Sequence, residues 1–184
     1  MAEPVRELDR PSGKAQRKEA GVRVMFVCTG NICRSPLAQA VLEKMARDRG
    51  VAEHLQVESS GTDGWHVGEN ADSRMRETAA ARGVPLDHRA RQFSPGDLQD
   101  FDLIFAMGSN HLKAIREIDR RRGGQARARV LLFREFDPAL PGGGKAPDVP
   151  DPYYGGPEGF HEVYRIVERT CDEILNGIQE GRLP

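Results

Sequence analysis

The sequence predicts a single α/β domain in which a parallel sheet carries helices on both faces. Two observations lead there. Short apolar runs alternate four times with stretches of helical periodicity, the pattern of strand–helix units. The first strand-to-helix handover, from RVMFVC into LAQAVLEKMA, runs through VCTGNICRSP, which is too rich in chemistry to be only a turn. At 184 residues the chain suits one domain with a substantial core and is short for two.

Taken in order, Arg23–Cys28 reads as a buried strand and Pro36–Arg49 as a helix with Leu37, Val41, Leu42 and Met45 inward. Pro36 suits a first helical turn. Leu55–Ser59 reads as a second strand and Ala71–Arg82 as a helix stopped by Gly83. Phe101–Met107 is a third strand, followed by a helix from about Asn110 to Arg121, and Arg129–Phe133 is a fourth strand. Gly159–Gln179 carries the clearest helical face: Phe160, Val163, Tyr164, Val167, Cys171, Ile174, Leu175 and Ile178. Between the last strand and this helix, Asp137–Pro150 is rich in Pro and Gly and lacks any period, the composition of a functional or disordered loop. Residues 1–21 contain almost nothing apolar and predict a disordered N-terminal extension, leaving residues 22–182 as the folded domain.

Bulk properties exclude several classes. A formal net charge of -1 gives no global attraction to nucleic acid or to an anionic membrane surface. No apolar run approaches the roughly 20 residues of a membrane span, and no signal-peptide block is visible, so a cytoplasmic location is expected. Three cysteines do not make a disulfide framework, and reduced thiols are the default.

The chemistry concentrates in VCTGNICRSP. Ligands of open α/β sheets bind beyond the carboxyl ends of the strands, where this stretch falls. A helix start offers unpaired N–H groups and the positive end of a dipole. Gly30 and Asn31 tolerate a tight or left-handed backbone, so that successive amides, from Thr29 through Ile32 and Cys33 to Arg34, can turn inward as an anion nest. Arg34 adds a planar fork for phosphate oxygens. The same positive surroundings favour the thiolate of Cys28, the form that attacks, and Ser35 can donate a hydrogen bond to it. A lone C-x5-R pairing is weak, because a shuffled chain with 3 Cys and 22 Arg gives roughly one match in three trials. Its position between strand and helix, with Gly30, Asn31 and Ser35, is what gives it meaning. The alternative for Cys28 is a buried strand-end thiol.

A thiolate that attacks phosphorus must expel an oxyanion, which requires an acid. Asp151 stands out because it ends the long loop and precedes Tyr153 and Tyr154. The competing reading of DPYY is a plain Asp-Pro turn with half-buried tyrosines.

With these residues in view, the chain resembles the low-molecular-weight protein tyrosine phosphatases. The likeness rests on FVCTGNICRSP, VESSGTDGWHVGENAD, LDHRARQF, FDLIFAM and DPYYGG, in that order, and covers about Val22 to Arg182. It implies a doubly wound, four-stranded parallel sheet and hydrolysis of phosphotyrosine in proteins without metal or other cofactor. By motif position it implies Cys28 as nucleophile, Arg34 as phosphate binder, Asp151 as general acid and base, and Ser35 as the group that readies Cys28. It further implies Asn31 as the residue shaping the loop, braced by Ser59 and His88, with Trp65, Tyr153 and Tyr154 walling a slot for an aromatic ring. Cys33 becomes a partner thiol that protects Cys28 from overoxidation by a reversible disulfide. Inorganic phosphate is the expected product and inhibitor, and a monomer or weak dimer the expected state. Two departures stand out. Many relatives carry Met-Asp after the third strand, where this chain has Met107-Gly108, so that carboxylate is absent or replaced. The Gly-rich loop before Asp151 also looks long and soft, which would leave the acid mobile.

Three other readings compete. Protein-arginine phosphatases resemble the chain but tend to have threonine at the position of Ile32, whose apolar side chain suits a tyrosyl ring better. Arsenate reductases of similar fold relay electrons through further cysteines, and the spare one here, Cys171, falls on an apolar helical face. A non-catalytic phosphotyrosine-binding module would have no need for Cys28, Arg34 and Asp151 together. A zinc knuckle lacks a fourth ligand at suitable spacing.

Overall fold

A computed structural model of the chain describes residues 21–183. The expected N-terminal extension therefore lies, but for Gly21, outside the described residues. Four strands, β1 (Val22–Cys28), β2 (Leu55–Gly61), β3 (Leu103–Ala106) and β4 (Arg129–Leu132), form one sheet in the order β2-β1-β3-β4, with every pairing parallel. The helices are α1 (Arg34–Asp48), α2 (Ser73–Ala80), the single turn α3 (Asp97–Asp100), α4 (Ser109–Arg121) and α5 (Pro157–Gln179).

β1 shows why the sheet is wound on both sides. Its side chains alternate, so Val24, Phe26 and Cys28 enter one apolar cluster while Met25 and Val27 enter the other. The first cluster takes Leu37 and Leu42 of α1, Met75 of α2 and the Phe160–Leu175 face of α5; the second takes Leu98 of α3 and Ile115 of α4. Phe26, Phe105 and Phe133 meet within the first cluster, with Phe26 5.7 Å from each of the other two rings. Met45 is only half-buried and packs at the cluster's edge.

Every strand and long helix expected from the sequence is present, with ends shifted by a few residues. The second helix is shorter at both ends, because Asp72 caps it by accepting the Arg74 N–H at 2.9 Å and the chain leaves it at Ala80, three residues before Gly83. α3 carries too few residues to show a period, and a short 3-10 turn, Phe133–Phe136, extends β4. No helix among the described residues is long and apolar enough to cross a membrane.

Chain order runs outward from β1 to β2 on one side and then to β3 and β4 on the other. The switch point lies between the carboxyl ends of β1 and β3, where Cys28 gives way to Thr29 and Ala106 to Met107.

Candidate active site

The segment from Cys28 to Ser35 leaves β1 and coils into α1. Its carbonyls are drawn outward by neighbours. Thr62 N–H donates to Cys28 O (2.8 Å), Asp63 N–H to Thr29 O (3.0 Å), Asp72 N–H to Ile32 O (2.8 Å) and Leu37 N–H to Cys33 O (3.3 Å). No side chain caps the start of α1. With its carbonyls engaged outside, the loop is left with its amides and the N-terminus of α1 for an anion.

Asn31 holds this shape. It is fully buried and takes the left-handed conformation at φ 58°, which asparagine tolerates better than most residues. Its Nδ2 donates to Ser35 Oγ (2.9 Å) and Ser59 Oγ (3.0 Å), and its Oδ1 accepts from Arg91 N–H (2.9 Å) and His88 Nε2 (3.0 Å). His88 Nε2 also lies 3.0 Å from the Asn31 carbonyl, so two acceptors fix the proton on that nitrogen. Burial pushes the His88 pKa down. Of the two residues expected to allow a tight or left-handed backbone, Asn31 takes the left-handed angle and Gly30 does not. A Cβ on Gly30 would lie 2.9 Å from the His66 ring, so glycine serves close approach there.

Cys28 Sγ and Ser35 Oγ lie 3.0 Å apart. Because Ser35 Oγ accepts from Asn31, its own proton is left for the sulfur or for the Ser60 carbonyl at 3.3 Å. Cys33 is buried beside the same cleft, and burial, then the negative charge of Asp72, pushes its thiol pKa up. All three cysteines are free thiols, and Cys171 lies buried on the apolar face of α5.

Arg34 is buried at the base of the cleft. Its Nη1 donates to Val149 O (3.3 Å), and its Nη2 lies 3.5 Å from Thr29 Oγ1 and 3.4 Å from Asp151 Oδ2. The Asp151 side chain is 48 % exposed, against 8 % for Arg34, so the carboxylate stands at the mouth and the guanidinium below it. Asp151 Oδ1 also accepts the Tyr153 N–H at 3.2 Å, an Asx turn. The turn of the competing reading is thus present, though its tyrosines are exposed and not half-buried as expected, and the Asp151 carboxylate still faces the cleft.

The cleft, of about 330 Å³, is lined by Cys28, Arg34 and Asp151 at its polar end and by Ile32 and the aromatic side chains at its rim. Trp65 is 82 % exposed and Tyr154 91 %, which places both at the rim and neither in the core. Arg74 steadies Tyr153, donating to its carbonyl (3.1 Å) and stacking over its ring (5.4 Å).

Two histidines here have no counterpart in the sequence-based expectations. His66, the rim partner of Gly30, is bonded to Glu69 at 2.8 Å. His111, buried in the first turn of α4, sets Nε2 2.8 Å from Thr29 Oγ1, while its Nδ1 has no partner among the described residues. Burial, with Arg34 nearby, pushes its pKa down to about 4. The signal that could have found it is positional, since α4 follows β3 at the switch point. At Gly108, where a carboxylate is expected to be absent or replaced, the Asp148 carboxylate of the long loop lies beside the glycine and accepts the Ser109 N–H.

Comparison with known proteins points to one family. A family model described as low molecular weight phosphotyrosine protein phosphatase matches residues 23–182. A low molecular weight protein-tyrosine-phosphatase of Streptomyces coelicolor is 44% identical over 158 residues, covering 86% of this chain and 94% of that protein. Among solved structures, a protein tyrosine phosphatase from Entamoeba histolytica with Hepes in its active site superposes with a TM-score of 0.78. It is 36% identical and covers 89% of this chain and 100% of its own. An arginine phosphatase of Drosophila superposes at 0.74 with 28% identity, covering 83% of this chain and 95% of its own.

Proposed function

Since the chain belongs to the low molecular weight phosphotyrosine protein phosphatases, and is by that membership a hydrolase, we propose that it cleaves phosphotyrosine in proteins in two metal-free steps. The observation that carries this reading is the convergence of the Cys28 thiol, the Arg34 guanidinium and the Asp151 carboxylate on a single cleft with an aromatic rim.

In the first step the Cys28 thiolate attacks phosphorus, and the bond from phosphorus to the tyrosyl oxygen breaks. The amides of residues 29–34 and the Arg34 guanidinium hold the three equatorial oxygens as charge builds on them. Asp151, protonated, gives its proton to the departing phenolate. In the second step Asp151, now a carboxylate, takes a proton from water as that water attacks phosphocysteine, releasing inorganic phosphate and restoring the thiolate. Ser35, held by Asn31, points a proton at the sulfur in both steps. Ile32, Trp65, Tyr153 and Tyr154 accept a flat ring. Cys33 acts when a peroxide has oxidised Cys28 to its sulfenic acid: the Cys33 sulfur bonds to that sulfur, water leaves, and a reducible disulfide remains.

Purified protein is expected to hydrolyse aryl phosphates in the presence of a metal chelator, and Cys28→Ser to lower turnover at least about a thousandfold while still binding phosphate. Asp151→Asn should cost roughly 10²–10⁴ on esters with poor leaving groups and much less on good ones. A chelator that abolished activity, or turnover that survived Cys28→Ser, would overturn the mechanism. Phosphotyrosine and phosphoarginine peptides offered side by side test the substrate class, with phosphotyrosine expected to be preferred.

A further inference from the structure

We propose that Asp148 is a positioning residue for the general acid: it clips the acid-bearing segment to the mouth of α4, in space that Gly108 leaves open. The inference rests on the reading of Asp151 as the acid.

Gly108 precedes α4 and offers no side chain to cap it. The cap comes from the long loop. Asp148 Oδ1 accepts the Ser109 N–H at 2.7 Å, and its Oδ2 lies 3.4 Å from Ser109 Oγ. A carboxylate at a helix N-terminus is favoured both by the orphan N–H groups and by the dipole. A Cβ added to Gly108 would stand 3.0 Å from Asp148 Cγ and 3.1 Å from its Oδ2, so the two positions share one space. Gly108 has extended backbone at φ -157°, so its requirement for glycine is spatial and not conformational.

From Asp148 to Asp151 the chain is tied at three of its four residues. The Asp148 carbonyl accepts from Arg134 Nη1 (3.3 Å). Val149, buried, donates its N–H to Met107 O (2.8 Å) and accepts from Arg34 Nη1 (3.3 Å). Asp151 then meets the same guanidinium. The chain just before Asp148 differs: residues 141–147 are almost wholly exposed, and nothing lies within 4 Å of a Cβ placed on Gly142, Gly143 or Gly144. Asp148 thus marks where the free part of the loop ends and the ordered part begins, three residues before the acid. A general acid must lie within hydrogen-bond reach of the leaving oxygen, and small misplacements are costly.

The test compares kcat/KM for phenyl phosphate, a poor leaving group, with that for 4-nitrophenyl phosphate, a good one, alongside inhibition by inorganic phosphate. Asp148→Ala is expected to lower the phenyl to nitrophenyl ratio about fivefold or more, in the sense of Asp151→Asn, with phosphate inhibition unchanged. Gly108→Ala, on a different element, should give the same signature by displacing the carboxylate. Asp148→Asn should keep most of the parent ratio, because its amide oxygen still accepts the Ser109 N–H. Equal losses on both esters, an unchanged ratio, or weakened phosphate inhibition in Asp148→Ala would overturn the proposal. If Asp151→Asn itself leaves the ratio untouched, the acid assignment fails and this inference with it. If Asp151→Asn shifts the ratio and Asp148→Ala does not, only the positioning role fails.

Discussion

Between Cys28 and Ser35 the chain is fixed from behind by the core: Asn31 and Ser35 are fully buried, the Asn31 side chain finds partners on α1, on β2 and on the segment around His88, and Thr29 meets His111 of α4. Between Asp137 and Tyr154 the chain is fixed only at points. Asp137 is buried between Arg134 and Arg169, Asp148 and Val149 grip the switch point, Asp151 meets Arg34, and the stretch between Asp137 and Asp148 runs mostly over the surface. Cys28, the proposed nucleophile, is set in a preformed cradle, and Asp151, the proposed acid, is hung on anchors beside it. That division matches the demands of each step. A cradle that stabilises charge works best when it costs nothing to reorganise, whereas the mouth must admit a protein-borne ring.

The hardest blow to the contrast is Asn31→Ala. It removes two donated and two accepted hydrogen bonds from a buried network and puts an ordinary residue at φ 58°. The expected cost is about 3 kcal/mol in urea unfolding and at least a hundredfold in kcat/KM, since unpaired buried polar groups and left-handed strain add. Asn31→Gly keeps the angle and loses the bonds, so it separates the two. Activity within about tenfold of the parent in Asn31→Ala would show that the cradle does not depend on its central brace.

Asn31 is legible in the sequence and His111 is not, for a physical reason. Strands and helices announce themselves through runs and periods because burial on two faces demands them. Cys28, Arg34 and Asn31 can be read because the loop that joins them is one continuous stretch between a strand and a helix. The Thr29–His111 bond joins residues 82 apart, and the Ser109–Asp148 bond residues 39 apart. The first pair meets because β1 and β3 are neighbours in the sheet and the second because the loop after β4 returns to the end of β3, and no local pattern records either. The role of Gly30 escapes a local reading for the same reason: its need is for the space His66 occupies, a contact across the cleft. The softness read from PGGGKAP is real in composition but stops at Asp148, where side-chain contacts take over.

His111 bridges the two regions electrostatically, and acid should expose it next. Burial holds its pKa at about 4 in the folded chain, against an ordinary value near 6.5, and His88 is pushed in the same direction. The unfolded chain therefore binds more protons between those values. Stability should be undiminished by His111 above pH 6.5 and should fall as pH drops towards 4, by up to about 3 kcal/mol for this group alone. Chemical unfolding at pH 7 and pH 5 checks the sign. His111→Gln should flatten the dependence, and an equally steep fall in that variant would remove His111 from the account.

The smallest effect should come from lengthening the loop where it is free. Inserting Gly-Ser-Gly-Ser after Gly143 adds residues to a segment whose glycines have nothing within 4 Å of a Cβ. Loop-closure entropy rises only logarithmically with length, so the stability cost should be within about 0.5 kcal/mol. If anchors at Asp137 on one side and Asp148 on the other set the acid, kcat/KM and the leaving-group ratio should stay within about twofold of the parent. A drop of tenfold or more, confined to poor leaving groups, would mean that loop length itself helps to place Asp151. The two regions would then differ in degree of exposure but not in how they are held, because Asp151 would depend on the whole arc from Asp137 onwards, as Cys28 is held by the loop that runs to Ser35.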